Sequence, residues 1–222
     1  MRAGNGLSRL RTAIVPRRNP TFLKMTSKFL ELTVSNSVRE AQCRYYGSAR
    51  HLEGAPQRDA LTEEETVFIQ TRDSFYMASV AETGWPYLQH RGGRPGFLRV
   101  LGPQTLAFAD YKGNRQMLST GNLIADDRVA LFLMDYPHRE RLKILGRARI
   151  EDARARPELV ERVAFPEERR AVERLFFIEI EAFDWNCPQY ITPRYTLAEI
   201  EELIAPLKQR IAELEAKLTQ GN

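Results

Sequence analysis

Phe75-Tyr76-Met77-Ala78-Ser79-Val80-Ala81, closed by Thr83-Gly84, is the stretch on which the reading of this chain turns. It is short, rich in β-formers and followed by a turn signal, so it reads as a strand. The same grammar repeats on either side. Tyr87–Arg91 follows Pro86, Phe97–Leu101 follows the irregular Gly92-Gly93-Arg94-Pro95-Gly96, and Thr105–Ala109 follows Gly102-Pro103-Gln104. Val129–Met134, Arg141–Ile150 and the near-continuously apolar Leu175–Ala182 complete the set. The sequence therefore predicts a mainly β chain with flanking helices, built on a six- to seven-stranded antiparallel barrel. There is no βαβ rhythm, no GxGxxG and no GxxxxGK[ST], which argues against Rossmann and P-loop enzymes.

Helices flank this region. Thr62 followed by Glu65 is a capping box and predicts a helix over 63–72. Further helices are expected at 114–122, 155–163 and 167–173. Residues 25–60 read as a helical lead-in, with Val34, Val38 and Ala41 on one face and Ser35 or Ser37 as cap. The barrel domain is expected over 61–195 and a C-terminal amphipathic helix over 196–222. In that helix Leu197, Ile200, Ile204, Leu207, Ile211, Leu214 and Leu218 recur at alternating spacings of three and four. Such a seam suits a dimerising coiled coil or a helix lying on its own domain, and Pro206 is expected to kink or restart it.

The chain has 222 residues, 43% of them apolar, and its net charge is +4. Residues 1–24 hold six basic residues and no acid, and read as a disordered basic tail or as sequence upstream of a start at Met25. Without them 27 basic residues face 29 acidic ones, a net of −2, which counts against nucleic acid as a partner. No apolar run is long enough to span a membrane. The two cysteines, Cys43 and Cys187, lie far apart and fit a reduced cytoplasmic compartment. His51, His90 and His138 have no metal-ligand spacing, so no metal site is expected.

Phe75–Val80, then Gly84-Trp85-Pro86-Tyr87, then Leu106-Ala107-Phe108-Ala109-Asp110-Tyr111-Lys112-Gly113-Asn114-Arg115 form an ordered set. Asp127-Arg128-Val129-Ala130-Leu131-Phe132-Leu133 and Leu142-Lys143-Ile144-Leu145-Gly146-Arg147-Ala148 continue it. Over residues 60–195 the order resembles the pyridoxamine 5'-phosphate oxidase-like FMN-binding family, and within it the flavin-nucleotide-binding branch, through Cys187-Pro188. The resemblance implies a split β-barrel homodimer with FMN at the subunit interface.

It also implies site residues. Lys112, Asn114 and Arg115 stand where the family binds the FMN phosphate in a strand-to-helix turn, a setting that offers cations and backbone N–H groups. Gln89, His90 and Arg91 stand in the strand that runs beneath the ring and ribityl chain. Arg141 and Lys143 stand in the strand contributed by the second subunit, Arg141 where glutamine is commoner. Strand alternation by itself puts Arg141 and Lys143 on one face, opposite Leu142 and Ile144. Trp185 and Arg194 stand where the family approaches the flavin edge. No Arg-x-His-x-Arg cluster is present near the C-terminus, so the chain is not expected to be a typical pyridoxamine phosphate oxidase.

The leading expectation is an FMN-dependent oxidoreductase that takes hydride from NAD(P)H or a small reduced substrate. A flavin carrier or stress protein without turnover, and a haem-binding protein on the same fold, are the alternatives. No residue stands out as acid or base, so catalytic residues and substrate are left open.

Overall fold

Thr62 and Glu65 form the capping box the sequence predicts: the Thr62 backbone N–H donates to the Glu65 carboxylate over 2.9 Å. This starts α3 (Glu63–Gln70) in a computed structural model that describes residues 27–49, 58–113, 115–185 and 189–220. The expected tail, Asn114 and Cys187-Pro188 lie outside the described residues.

The lead-in is two helices, α1 (Ser27–Thr33) and α2 (Asn36–Tyr46). Ser35, not Ser37, caps α2 by accepting from the Val38 N–H, and Gly47 ends it at φ 79°, a conformation glycine takes without strain. No side chain of α2 is buried, and of the apolar face expected there Val38 and Ala41 are exposed and Val34 is half-buried.

Seven strands follow: β1 (Ser74–Val80), β2 (Pro86–Gly92), β3 (Arg99–Gly102), β4 (Thr105–Tyr111), β5 (Arg128–Asp135), β6 (Glu140–Asp152) and β7 (Val172–Trp185). Every pairing is antiparallel, in the order β2-β1-β5-β6-β7-β4-β3. Four strands separate β2 from β4 in that order. Yet Arg91 of β2 reaches Asp110 of β4 at 2.7 Å, and the rings of Phe75 in β1 and Phe108 in β4 lie 5.4 Å apart. The sheet therefore curls on itself around a core that includes Phe75, Met77, Leu131, Ile144, Phe176 and Ile178. A second cluster, with Val160, Val163, Leu175 and Phe177, is sealed by α5 (Pro157–Val163).

Four boundaries depart from the sequence expectation. The third strand starts at Arg99, after the turn through Gly96, rather than at Phe97. The helix expected at 114–122 begins at Leu118 as α4 (Leu118–Ala125), because Arg115 and Met117 sit at φ 63° and 57° and interrupt helical geometry. The helix expected at 167–173 is one 3-10 turn, Arg169–Ala171. Val172 and Arg174 instead pair with Tyr111 and Asp152, extending β7 between β4 and β6. Pro206 neither ends nor restarts α6 (Leu197–Gln220), which runs through it.

Candidate functional site

The strands that line the core present their alternate residues outward. In β1, β5 and β6 the outward set is Tyr76 and Ala78, Ala130, Phe132 and Met134, and Arg141, Lys143 and Leu145. These residues floor a cleft of about 650 Å³, with Phe29 of α1 and the Tyr190–Arg194 segment also in its lining. The lining is mostly apolar and aromatic, with three cations set into it, a composition suited to a flat anionic ligand.

The three cations differ. Lys143 is neutralised: its Nζ lies 2.6 Å from Asp184 Oδ2 and 4.8 Å from the centre of the Phe29 ring. Arg194 lies over Tyr136, 4.9 Å from the ring centre. Arg141 has no ion-pair partner among the described residues, and its Nε is buried without a hydrogen bond. A buried donor without a partner is costly, so Arg141 is the group in the cleft that an incoming acceptor would satisfy.

Gln89, His90 and Arg91 split by parity along β2. Gln89 and Arg91 point inward. Arg91 pairs with Asp110, which also holds Arg174 at 2.7 Å, and stands 5.5 and 5.2 Å from the Phe108 and Phe176 rings. That arrangement ties β2 to β4 across the barrel, and Arg91 Nε, like that of Arg141, is buried without a hydrogen bond. Gln89 accepts from the Tyr87 hydroxyl at 2.9 Å and from Ser119 at 3.3 Å. His90 points outward, edge-on to Tyr76 with 5.5 Å between ring centres, and so stands beside the cleft that Tyr76 lines.

The Ser119–Gln89 bond holds the first turn of α4 against β2, which fixes the preceding turn beside that strand. Lys112 and Arg115 are exposed in that turn and have no ion-pair partner among the described residues. α4 has no side-chain cap, so its first N–H groups are available. Asn114 is not described.

Trp185 does not join either cluster. It points into the barrel end, where its indole Nε1 donates to Glu65 Oε1 at 2.6 Å and its ring lies edge-on to Phe68, 4.7 Å away. Burial pushes the Glu65 carboxyl up, but hydrogen bonds from Thr62 and Trp185 outweigh it and hold the group below its usual value. Tyr111 is shifted the other way. Burial and its hydrogen bond to Glu168 hold the phenol protonated well above its usual range.

Sequence reasoning missed Tyr136, Tyr190 and Asp184. Asp184, a single acid between Phe183 and Trp185 in an apolar strand, was a readable signal; the two tyrosines lie in loops with no periodicity to mark them. Among the described residues no cluster of three His, Cys, Asp or Glu is placed to hold a metal, and no helix is long and apolar enough to cross a membrane.

A family model described as pyridoxamine 5'-phosphate oxidase matches residues 61–186. No curated protein matches the chain. Among solved structures, a putative pyridoxamine 5'-phosphate oxidase from Lactobacillus delbrueckii is similar at 21% identity and a TM-score of 0.44, over 57% of this chain and 98% of its own. General stress protein 26 from Bacillus anthracis is similar at 16% identity and 0.41, over 55% of this chain and 91% of its own. A protein described as F420 reductase is similar at 16% identity and 0.40, over 58% of this chain and all of its own.

Proposed function

Because this chain belongs to the pyridoxamine 5'-phosphate oxidase family, we propose that it binds FMN and acts as a flavin-dependent oxidoreductase on a small substrate. The observation that carries the proposal is the turn before α4, where Lys112 and Arg115 stand exposed, with no ion-pair partner and no side-chain cap on the helix N-terminus among the described residues. Free cations and unsatisfied N–H groups together fit a phosphate dianion. The cleft fits the ring: its walls are apolar and aromatic, and Arg141 is a cation with no ion-pair partner among the described residues. Bound FMN supplies hydride chemistry; the chain supplies grip, orientation and charge.

A homodimer with FMN at the subunit interface would let these two clusters serve one ligand. No hydrogen bond or ion pair among the described residues joins the α4 turn to Arg141, Lys143 or Arg194. The outer face of β1 and β2 also carries exposed Tyr76, Leu88 and, in the turn between them, Trp85. A second copy covering that face would bury it and bring the turn of one chain to the cleft of the other.

The test is the visible absorption spectrum of the purified protein, with the released chromophore identified by chromatography. Bound or readily reconstituted FMN is the expected result. Rapid bleaching by NAD(P)H then separates an oxidoreductase from a carrier. A colourless protein that refuses added FMN, or a Soret band on haem addition in its place, overturns the proposal.

A further inference from the structure

Among the described residues most of the apolar seam of α6 is exposed, and of its seven side chains only Ile204 is half-buried. Ile200, Leu207, Ile211 and Leu214 are 41%, 51%, 55% and 45% exposed, and Leu197 and Leu218 more so. Of the two readings the sequence allows, a helix folded back on its own domain finds little support among the described residues. We infer that α6 pairs with α6 of a second copy of this chain as a parallel two-stranded coiled coil.

Three features commit the seam to that occupant. The first is side-chain shape. In heptad terms Leu197, Ile204, Ile211 and Leu218 occupy position a, and Ile200, Leu207 and Leu214 position d. The two central heptads thus carry isoleucine at a and leucine at d, the combination that packs best in a parallel pair. The second is charge. Positions e hold Glu201, Lys208 and Glu215, and positions g hold Leu203, Arg210 and Lys217. In a parallel pair, Arg210 faces Glu215 of the second copy, twice by symmetry. In the fully overlapped antiparallel pair, Arg210 faces Arg210, Lys208 faces Lys208 and Glu201 faces Glu215, while Lys217 faces Leu203, so no flanking charge meets its opposite. The third is Pro206, which falls at position c, outside the seam, so its ring leaves the contact clear.

Arg210 currently pairs with Glu213 within the helix at 2.9 Å, but both side chains are more than 45% exposed. Such a pair is worth little and does not hold Arg210 away from a partner. About three heptads alone make a marginal coiled coil. Pairing therefore gains from a second contact between the same two chains, which raises the effective concentration of the helices. The inference does not depend on flavin.

The experiment uses the full chain with Cys43 and Cys187 replaced by serine. Leu214→Cys is oxidised at low protein concentration and run on a non-reducing gel. A parallel pair sets the two d positions face to face, within disulfide reach, so the dimer band should predominate. Adding Arg210→Glu should lower the cross-linking rate roughly fivefold at low salt, and Arg210→Glu with Glu215→Arg should restore it. Two results overturn the inference. One is a monomer band throughout. The other is cross-linking only when an Ile204→Cys chain is mixed with a Leu214→Cys chain, the signature of the antiparallel pair. FMN content, read on the same samples, reports separately on the flavin site.

Discussion

Lys143 Nζ and Asp184 Oδ2 lie 2.6 Å apart on a directly opposed pair of β6 and β7, with Asp184 almost wholly buried and Lys143 about a quarter exposed. The lysine that lines the cleft is thus already answered by an acid of its own chain. The pair holds one end of the cleft together, and the charge it offers a ligand is small. Arg141, two residues away on the same face, has no such acid among the described residues, and its Nε is buried without a hydrogen bond.

The unequal burial makes the two truncations unequal. Asp184→Ala leaves Lys143 a path to water, so it should cost about 2 kcal/mol. Lys143→Ala strands a carboxylate with no exposure, and should cost about 3–5 kcal/mol. Urea denaturation of both variants measures this. Equal losses would show that the pair is not the buried contact described.

Arg115 is exposed and has no ion-pair partner among the described residues, so Arg115→Ala should change folding stability by no more than about 0.5 kcal/mol. If it holds the FMN phosphate, the same change should weaken FMN binding roughly 10- to 100-fold, the loss of one or two charge-assisted hydrogen bonds. Titration of the apoprotein with FMN, followed by flavin fluorescence quenching, decides it. Unaltered affinity removes Arg115 from the site. Arg91→Ala should do the reverse and destabilise the barrel, because it strips a half-buried partner from Asp110.

The sequence carried most of the fold because its strands are punctuated. Thr83-Gly84 before Pro86 marks the β1–β2 turn, and Gly84 does take φ 85° there. What it could not carry was side-chain parity where alternation is weak. Leu175–Ala182 is nearly continuously apolar, so nothing in the pattern says that Trp185 points into the barrel and Asp184 out of it. The charged run Glu167–Glu173 reads as a helix locally, but the edges of β4 and β6 pair with Val172 and Arg174 and draw its end into β7. The cleft itself was legible only as Arg141, Lys143 and Arg194. Its aromatic walls come from segments distant in sequence, and no local pattern joins them.

Glu65 links the start of α3 to Trp185, and its protonation should be visible in folding. Its carboxyl is held below the ordinary value of 4.5 in the folded chain, so the stabilisation it gives is fully present above that pH. It is lost as pH falls through the lower, folded value. Glu65→Gln should flatten the fall in stability below about pH 5. It should also shift Trp185 emission, because the indole loses a charged acceptor. Trp85, exposed in the β1–β2 turn, is replaced by phenylalanine so that Trp185 reports alone. An unchanged acid limb in the variant would mean that other carboxylates set the acid transition.

Gly146 is the position where β6 tolerates no side chain. A Cβ there would sit 2.6 Å from the Glu179 backbone oxygen and 2.8 Å from Ile178 Cγ2. Between Leu145 and Gly146 the register with β7 skips Glu181, a bulge whose extra residue is tied down elsewhere. The Glu181 carbonyl accepts from Asp59 N–H at 3.1 Å, and its carboxylate pairs with Arg58 at 2.8 Å. The bulge resets parity so that residues on both sides of it keep their proper faces, including the Lys143–Asp184 pair three residues away. Gly146→Ala must move a backbone carbonyl rather than a flexible side chain, and should cost about 2–4 kcal/mol. It should also expose Asp59 and Asp184 N–H groups to faster hydrogen exchange, since both depend on where β7 lies. Gly121→Ala, with nothing near its Cβ, is the control and should be neutral or slightly stabilising. Equal stability of the two variants would show that the strands slide freely at the bulge, and that Gly146 does not fix the register on which the cleft is built.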